Sequence, residues 1–578
     1  MSALMHLRRS VSAGLVAGVV TIYLVAVGIA DVFAERELVT GYITLGRFML
    51  LIPPLAVGYM VAGRSGQAFS RVTSALVAGT AAGALFSAAF LLAVAASPGI
   101  RQVLVRISAA QLEFVGFADL GLDPTMGALL SLGLAAALGL LAGLVRVAPA
   151  TARRAMVGGA TLIVLMSMVE RFLRPRLLEF GFIEFDDFLY VSHGLTGMSA
   201  LATFAVGALV VGLWPGVRRT ARARVAGADP GMRIALRWAG LLVAIAFFYT
   251  LPWITGSFLT QVLVLVGFYV LLGLGLNIVV GYAGLLDLGY VAFYAVGAYF
   301  TALLTSPTSA LGWGLSFWEA LPIVVFLSTM VGLFIGAPVL RLRGDYLAIV
   351  TLGFGEIARV LLGSEALKPW LGGPSGILSV PFMIGDGTYS LPIIGEVTGP
   401  AATYFPLLAF CVLAALVAHR LKYSRTGRAW NAMREDEDVA QATGISTVNY
   451  KLLAFAMGAA VGCVGGAIFA THLQGVVPGG FVLLVSITVL AVVVLGGMGS
   501  IPGVIVGAFA LIGLPEMLRE FAEYKLLVYG AVLVAVMLLR PEGLIPDAAR
   551  KAELEDARTE DAPEGELEME VISGDPDR

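Results

Sequence analysis

Residues that could carry out chemistry are sparse in this sequence of 578 residues, of which 59% are hydrophobic and 13% charged. The four histidines are scattered, and Cys411 and Cys463 lie in apolar runs, so neither residue type predicts a metal site, a disulfide or a catalytic set. None of the five lysines follows a glycine, which excludes a GxxxxGK(S/T) phosphate loop. We therefore predict no catalytic residue, metal or cofactor, and any ATP-driven step would need an ATPase on another chain.

The densest group of charges is the segment Tyr423–Tyr450, which we call the charged island. Its good helix formers predict a helix over Arg428–Thr443 after a turn at Thr426-Gly427, and Gly444 supplies a helix stop. Four consecutive acidic residues, Glu435–Asp438, lie inside it. A charged segment between apolar ones indicates either a surface offered to a soluble partner or a solvated loop without a special role.

A second polar feature interrupts the apolar run Gly273–Tyr290, which contains five glycines together with Asn277 and Asp287. This composition predicts a broken helix. Irregular backbone and an ionisable group at membrane depth are tolerated only where protein or a water-filled cavity surrounds them. Asn277, Gly281, Gly284 and Asp287 are therefore candidates for a translocation path or gate. Alternatively, Asp287 caps the helix that follows.

The segment Arg343–Arg359 is another interruption, in which glycines and charges are mixed with apolar residues. Gly353 and Glu356 join the candidates for the path. Glu356 and Arg359 are three residues apart and can face each other on a helix, which would lower the cost of placing charge near the membrane boundary. This spacing favours a structural role for the pair.

The elements that must position these residues are membrane-spanning helices, because a mean hydropathy of +0.92 lies far outside the range of soluble proteins. The predicted fold class is an all-α integral membrane protein, a polytopic helix bundle of about 16 spans. Six spans are predicted in the N-terminal part, at 11–30, 43–62, 72–96, 125–145, 155–169 and 195–214. Ten are predicted after it, at 238–254, 259–280, 290–304, 319–340, 346–363, 401–418, 451–472, 481–497, 501–518 and 526–540.

Charges in the loops predict the orientation and the domain boundaries. The positive-inside rule places both termini and the charged island in the cytoplasm, and the polar loop 364–400 outside. The basic stretch 215–237 is the predicted linker between an N-terminal membrane extension, 1–214, and a second membrane domain, 238–545. The tail 546–578 is rich in acidic residues and is predicted to be disordered in the cytoplasm.

Four blocks of the second membrane domain resemble the inner-membrane permease subunits of branched-chain amino-acid ABC importers, specifically the LivM-like branch. The similarity runs through most of 240–545. The blocks are GLGLNIVVGYAGLLDLGYVAFYAVGAY (273–299), RGDYLAIVTLGFGEIARVLL (343–362), SRTGRAWNAMREDEDVAQATGIS (424–446) and VVVLGGMGSIPGVIVGA (492–508).

In that family, the charged cytoplasmic loop holds a coupling helix that docks in a groove of the ATPase subunit. The resemblance assigns a divergent form of the Glu-Ala-Ala…Gly motif of importers to Asp438–Gly444, with Asp for Glu and Val for the first Ala. The residues that the resemblance implies in ATPase coupling are Arg428, Arg434, Glu435, Asp436, Glu437, Asp438, Ala440 and Gly444.

The resemblance also implies a transport subunit in the bacterial inner membrane that has no ATPase site of its own and forms half of a pore for leucine, isoleucine and valine. Its implied partners are two cytoplasmic ABC ATPase subunits, a second homologous permease, and a periplasmic or lipid-anchored substrate-binding protein that docks on the outside loops. Membrane lipid surrounds the chain, and nucleic acid is not expected as a partner.

Three alternatives stay open at this point. Relatives of this branch handle other amino acids, urea and short amides. A secondary transporter would couple transport to ion flow through buried ionisable groups, of which the second membrane domain has few. A membrane sensor or scaffold would use the N-terminal extension and the acidic tail. That extension departs from the family, whose members generally have a much shorter N-terminal region.

Overall fold

The computed structural model describes residues 2–26, 28, 33, 37–63, 68–95, 121–179, 181–191, 194–226, 229–339, 345–391, 395–517, 530 and 543–546. The chain consists of two compact units, Met1–Ala246 and Phe247–Arg578. The tail 546–578 was predicted to be disordered, and all of it after residue 546 lies outside the described residues. Most of the span predicted at 526–540 lies outside them as well.

Seven helices build the described part of the first unit up to residue 226. They are α1 (Ser2–Ala26), α2 (Leu45–Gly63), α3 (Ala68–Ala95), α4 (Pro124–Val147), α5 (Ala150–Glu179), α6 (Ile183–Leu189) and α7 (Gly197–Ala226). All of them except the short α6 contain a stretch long and apolar enough to cross a membrane. These six stretches overlap the six spans predicted from hydropathy.

Close helix contacts in this unit depend on glycine. A Cβ atom on Gly79 of α3 would lie 2.4 Å from the carbonyl oxygen of Ala135 on α4, and one on Gly139 would lie 2.5 Å from the carbonyl oxygen of Ala75. Small residues on both helices therefore allow the backbones to touch, which is the usual packing of helices in membranes.

Short strands join the loops of the first unit into a four-stranded sheet in the order β2-β1-β4-β3. The strands are β1 (Glu37–Val39), β2 (Ile43–Thr44), β3 (Tyr190–Val191) and β4 (Gly194–Leu195). Val39 pairs with Leu195 across the parallel β1–β4 contact. Hydropathy alone did not predict these strands, because each has only two or three residues.

The remaining described helices are long where they are apolar and short where they lie in loops of the second membrane domain. They are α8 (Pro230–Leu276), α9 (Val291–Thr305), α10 (Phe317–Val339), α11 (Asp345–Leu362), α12 (Lys368–Leu371), α13 (Pro400–Lys422), α14 (Arg425–Glu435), α15 (Glu437–Ala442), α16 (Thr447–Leu473), α17 (Leu483–Gly496), α18 (Ile501–Ala508) and α19 (Leu514–Met517). Two small antiparallel pairs complete the loops: β5 (Ile377–Leu378) with β8 (Gly475–Val476), and β6 (Tyr389–Leu391) with β7 (Gly395–Val397).

The all-α membrane architecture is confirmed, with eleven helices in the described residues long and apolar enough to span a membrane and a twelfth if one bent pair counts as a span. Five of the 16 predicted spans are not among the eleven. The segment predicted at 238–254 precedes the apolar stretch Gly256–Tyr282, because α8 is broken at Gly256 (φ +80°), and most of the segment predicted at 526–540 lies outside the described residues. The segments predicted at 290–304 and 501–518 are shorter apolar helices, Val291–Thr305 and Ile501–Met517. The bent pair, Tyr346–Leu362 and Glu365–Leu371, turns by 56°.

The core of the second unit lies where α9 crosses α16. A Cβ atom on Gly297 would lie 2.3 Å from the carbonyl oxygen of Cys463, and one on Gly466 would lie 2.0 Å from that of Tyr294. The Tyr294 ring also packs against Phe469 at 5.2 Å between centroids. The backbones of α9 and α16 therefore touch at these glycines, and the two helices are closely packed there.

Candidate coupling and gate site

The charged island forms two helices, α14 and α15, where the sequence predicted a single helix over Arg428–Thr443. Asp436 separates them in extended backbone (φ −152°, ψ 114°). Its Oδ1 accepts hydrogen bonds from two backbone N–H groups of α15, at 2.8 and 2.9 Å. Asp436, one of the four consecutive acidic residues, therefore caps the first turn of α15 and divides the island into two helices.

The ends of the island are also capped. The Ser424 hydroxyl accepts a hydrogen bond from the Gly427 N–H at 3.2 Å, so the helix begins at Arg425. The predicted turn at Thr426-Gly427 is therefore wrong, because both residues lie in the first turn of α14. Gly444 has a φ of +90° and follows the end of α15, which confirms the predicted helix stop.

One face of the island is buried and the other is exposed. Trp430 is fully buried, and its Nε1 donates a hydrogen bond to the Tyr450 carbonyl oxygen at 2.8 Å. Met433 and Ala440 are buried beside it. Exposed residues make up the opposite face: Arg428, Glu435, Asp436, Asp438, Val439 and Gln441. The buried side anchors the island, and the exposed side of α15 offers small, apolar and acidic groups to solvent.

An ion pair ties α15 to the long helix α16. The Lys451 ammonium lies 2.6 Å from Glu437 Oε1, and the side chains are 5% and 24% exposed respectively. An ammonium group so deeply buried is costly without a partner. Glu437 therefore fixes the start of α15 against the second turn of α16.

Arg434 links the island to the broken helix. The backbone leaves the α-helix at Leu276, passes through a wider helical turn at Asn277–Tyr282 and then loses helical form before α9, which confirms the predicted interruption. Arg434 Nη1 donates a hydrogen bond of 2.8 Å to the Gly281 carbonyl oxygen. Gly284 has a φ of +71°, and a Cβ atom there would lie 2.8 Å from Arg434 Cγ. Gly284 thus makes room for the arginine, whereas a Cβ atom on Gly281 would collide with Asn277 and Gly499.

A second chain of hydrogen bonds reaches the same break from the end of α13. Lys422 Nζ donates to the Gly499 carbonyl oxygen at 2.9 Å. The Gly499 N–H in turn donates to Asn277 Oδ1 at 2.8 Å. Asn277 is fully buried, so its amide is used to join two backbones inside the protein.

Asp287 is 1% exposed, and its Oδ1 accepts a hydrogen bond of 2.8 Å from the Gly289 N–H. Gly289 precedes α9, whose N-cap residue is Tyr290 and receives no side-chain hydrogen bond, so Asp287 holds the loop before the helix and the alternative in which it caps α9 is not supported. The same loop is held from two sides, because the Leu288 N–H donates to Thr351 Oγ1 at 3.1 Å and the Val291 N–H donates to Ser486 Oγ at 2.8 Å. Asp287 is thus a buried carboxylate in a loop that two other helices hold in place.

The remaining two candidates are less closely joined to the break. Glu356 pairs with Arg359, whose Nε lies 3.0 Å from each carboxylate oxygen, and both side chains are partly exposed. A Cβ atom on Gly353 would meet no atom within 4 Å. On the same helix, α11, the residues that contact the loop before α9 are Thr351 and Gly355.

Sequence reasoning missed the roles of Lys422, Lys451, Gly499, Thr351 and Ser486. Lys422 and Lys451 flank the island in sequence, and their charge was the available signal. Asn277 and Gly499 are 222 residues apart, so no local pattern could pair them. Among the described residues, no group of three His, Cys, Asp or Glu side chains could hold a metal ion.

Comparison with known proteins identifies the region that contains this network. Residues 258–537 match the protein family described as "Branched-chain amino acid transport system / permease component". No solved structure matches the chain significantly.

Several curated relatives share this similarity. The chain is 42% identical over 323 residues to the high-affinity branched-chain amino acid transport system permease protein LivM of Escherichia coli K12, covering 53% of this chain and 73% of that protein. The LivM protein of Salmonella typhimurium LT2 is 41% identical over the same shares of each chain. The corresponding permease protein BraD of Pseudomonas aeruginosa is 28% identical over 302 residues, with 48% of this chain and 91% of BraD covered. The resemblance found in the four sequence blocks is thus confirmed, and this multi-pass membrane chain belongs to the family of branched-chain amino acid transport permease components.

Proposed function

We propose that this chain is the transmembrane permease subunit of an ATP-driven importer for leucine, isoleucine and valine. Its relatives are named as permease proteins of branched-chain amino acid transport systems. One observation carries the proposal: an exposed charged helix and a broken membrane helix are joined in one network of contacts. Both lie inside the family match at 258–537.

In this proposal, α15 is the coupling helix. Val439 is 58% exposed and lies among acidic residues, which gives an ATPase groove an apolar contact with charges at its rim. Glu437 and Asp436 shape the helix from within, through the ion pair to Lys451 and the N-terminal cap. Arg428, Glu435 and Asp438 would meet the ATPase, whereas Arg434 and Ala440 face the permease itself.

The helix break is the proposed gate. Movement of the ATPase would be carried through α14 to Gly281 by Arg434, while Lys422 holds Gly499 and, through it, Asn277. A hydrogen bond from a charged donor stabilises by about 1.5–3 kcal/mol. Two such bonds at one break are strong enough to bias its conformation. We keep Asp287, Gly353 and Glu356 as candidates for the path.

The partners follow from this assignment. The chain contributes half of a pore together with a second homologous permease, and two cytoplasmic ABC ATPase subunits drive it. A periplasmic or lipid-anchored binding protein delivers the substrate to the outside loops, of which 364–400 is the largest in the second unit. Both termini lie in the cytoplasm of a bacterial inner membrane, and this subunit hydrolyses no ATP itself.

The family assignment disfavours the ion-coupled alternative, which would need membrane-embedded ionisable groups along a path. Among the described residues of the second unit, the buried charged side chains are Asp287, in the loop before α9, and Lys451, near the start of α16. A permease of the same type for other amino acids, urea or short amides is the alternative substrate assignment, and measured uptake distinguishes it.

The deciding experiment is uptake by proteoliposomes that contain this chain, its second permease, the ATPases and the binding protein. We expect ATP-dependent accumulation of radiolabelled leucine, isoleucine and valine, and little accumulation of urea. Vesicles without the ATPases, but with an imposed proton or sodium gradient, are the control. Uptake in those control vesicles would overturn the proposal, and uptake of urea in preference to leucine would overturn the substrate assignment.

A further inference from the structure

The last described segment of the chain, Gly543–Pro546, lies against the turn that joins α17 to α18. We call this segment the C-terminal clasp and the turn, Gly496–Ser500, the glycine turn. The clasp follows the family match at 258–537 in the sequence. Its Leu544 side chain is partly buried and packs against the hydrophobic core of the second unit, which anchors the clasp there.

Two backbone hydrogen bonds join the clasp to the end of α17. The Leu544 N–H donates to the Leu495 carbonyl oxygen at 2.8 Å, and the Ile545 N–H donates to that of Gly496 at 2.9 Å. Both carbonyl groups belong to the last turn of α17, where a helix has no donors of its own to offer them. The clasp therefore completes the end of this helix. The next residue is Pro546, which has no N–H and cannot extend the pairing.

Glycines allow the two backbones to approach each other. Gly497 has a φ of +118°, and a Cβ atom there would lie 2.7 Å from the Ile545 carbonyl oxygen. Gly543 has a φ of +88°, and its Cβ atom would lie 2.6 Å from Gly497 Cα. A Cβ atom on Gly503 of α18 would lie 2.9 Å from the same Ile545 oxygen. The clasp and the glycine turn thus fit together closely only without side chains at these positions.

The same glycine turn holds the side chain of Asn277 at the helix break. The Gly499 N–H donates to Asn277 Oδ1 at 2.8 Å, and Asn277 is fully buried. Within the described part of the chain, Asn277 Nδ2 has no hydrogen-bond partner. Among these residues, the bond from Gly499 is therefore the one that orients the amide, and it depends on the position of the turn.

We propose that the C-terminal clasp is a positioning element of the gate, because it holds the glycine turn where the Gly499 N–H meets Asn277. The contacts run from Ile545 to Gly496, through the glycine turn to Gly499, and from Gly499 to Asn277. Lys422 restrains the same turn from the end of α13, through the Gly499 carbonyl oxygen. This inference rests on the proposed function of the break as a gate, and it adds a restraint from the C-terminal side. Loss of the clasp would let Gly499 move away from Asn277, so the clasp favours the conformation of the break described above.

Hydrogen exchange in the purified full-length chain, in nanodiscs of phosphatidylcholine, tests whether the clasp holds the glycine turn. Ile545→Pro removes the N–H that bonds to Gly496, and Ile545→Val is the matched variant that keeps it. We expect the amides of 495–500 to exchange at least tenfold faster in Ile545→Pro, and at the wild-type rate in Ile545→Val. The amides of 291–305, on α9, should keep their wild-type exchange in both variants, because general unfolding would be needed to expose them.

Gly543→Ala is a second variant, for the case in which 291–305 also exchanges faster in Ile545→Pro. It keeps both N–H donors and pushes the clasp away from Gly497. Faster exchange confined to 495–500 in Gly543→Ala would support the clasp. Unchanged exchange of 495–500 in either folded variant would overturn the inference.

Uptake by the reconstituted transporter tests whether the clasp acts through Asn277. We expect Ile545→Pro and Asn277→Ala each to lower leucine uptake several-fold, and the double variant to be no slower than Asn277→Ala alone. A further several-fold loss in the double variant would show that the clasp acts independently of Asn277 and would overturn the inference. Absence of leucine uptake by the wild type would instead overturn the proposed function, whereas the exchange measurement needs no transport and tests the clasp separately.

Discussion

Arg434 and Gly281 lie 153 residues apart in the sequence and are joined by a hydrogen bond of 2.8 Å between the guanidinium Nη1 and the carbonyl oxygen. One end of this contact is in the charged island and the other is in the wider helical turn of the break. A carbonyl in an irregular turn is available because it is not committed to a regular helical ladder. The contact therefore joins the segment proposed to meet the ATPase to the segment proposed to gate the path.

Replacing Arg434 with alanine should uncouple transport from ATP hydrolysis. The loss of a charged hydrogen bond of about 1.5–3 kcal/mol corresponds to roughly tenfold or more in the equilibrium that it biases. We expect the ATPase subunits to co-purify normally, ATP hydrolysis to continue, and leucine uptake to fall about tenfold. Asn431→Ala is the matched control, because Asn431 is exposed on the same helix and has no proposed role. Loss of co-purification in Arg434→Ala would instead make Arg434 part of the docking surface.

Gly284→Ala should damage the same link from the other side. Its φ of +71° strains any residue with a Cβ atom, and that atom would lie 2.8 Å from Arg434 Cγ. We expect uptake to fall several-fold in the reconstituted transporter. Gly479→Ala is the comparison, since a Cβ atom there meets nothing within 4 Å and Gly479 has no proposed role in the path. Equal uptake by both variants would show that the close approach of Gly284 and Arg434 is unimportant.

Val439→Asp should weaken ATPase binding without unfolding the permease. Val439 is 58% exposed on α15, so the substitution adds charge to the proposed apolar contact and disturbs no core packing. We expect at least a tenfold loss in co-purified ATPase and an unchanged unfolding temperature. Val448→Asp, at a valine that is 51% exposed on the next helix, should have little effect. A similar loss in both variants would contradict the assignment of α15 as the coupling helix.

Glu437→Ala should lower stability, in contrast to the exposed acidic residues around it. It leaves the Lys451 ammonium, whose side chain is only 5% exposed, without the carboxylate at 2.6 Å. We expect a loss of about 2 kcal/mol, below the 3–5 kcal/mol of a fully buried pair because Glu437 is partly exposed. Thermal unfolding in detergent measures the change, with Glu435→Ala as a control expected to stay within about 0.5 kcal/mol of the wild type. Equal unfolding temperatures for the two variants would show that the ion pair contributes little.

Asp287→Asn separates the two roles open to Asp287. The amide oxygen can still accept the hydrogen bond from Gly289, so the turn before α9 is kept while the charge is lost. If the charge serves the path, uptake falls several-fold while the unfolding temperature stays unchanged, which is the outcome we expect. Normal uptake by Asp287→Asn, together with a loss of about 1 kcal/mol of stability in Asp287→Ala, would leave Asp287 with a role in the turn before α9 alone.

The features of this chain that depend on local composition could be predicted without the structure. Hydropathy runs predicted the helices of the N-terminal unit, because a span needs only about 20 apolar residues in succession. The glycines, amide and carboxylate of Gly273–Tyr290 predicted the broken helix, and Gly444 predicted the end of the island, since both depend on backbone preferences of neighbouring residues. The four family blocks were readable for the same reason.

The contacts between the island, the broken helix and the neighbouring helices depend on tertiary packing and could not be predicted from local patterns. Asp436 divided the island because its carboxylate reached two N–H groups of the next turn, a choice that helix propensity does not make. Lys422, Gly499 and Asn277 came together across long stretches of chain, and so did Arg434 and Gly281. Sequence patterns report periodicity along a chain, whereas these hydrogen bonds depend on which helices pack side by side, and that is settled by the small residues that let their backbones touch.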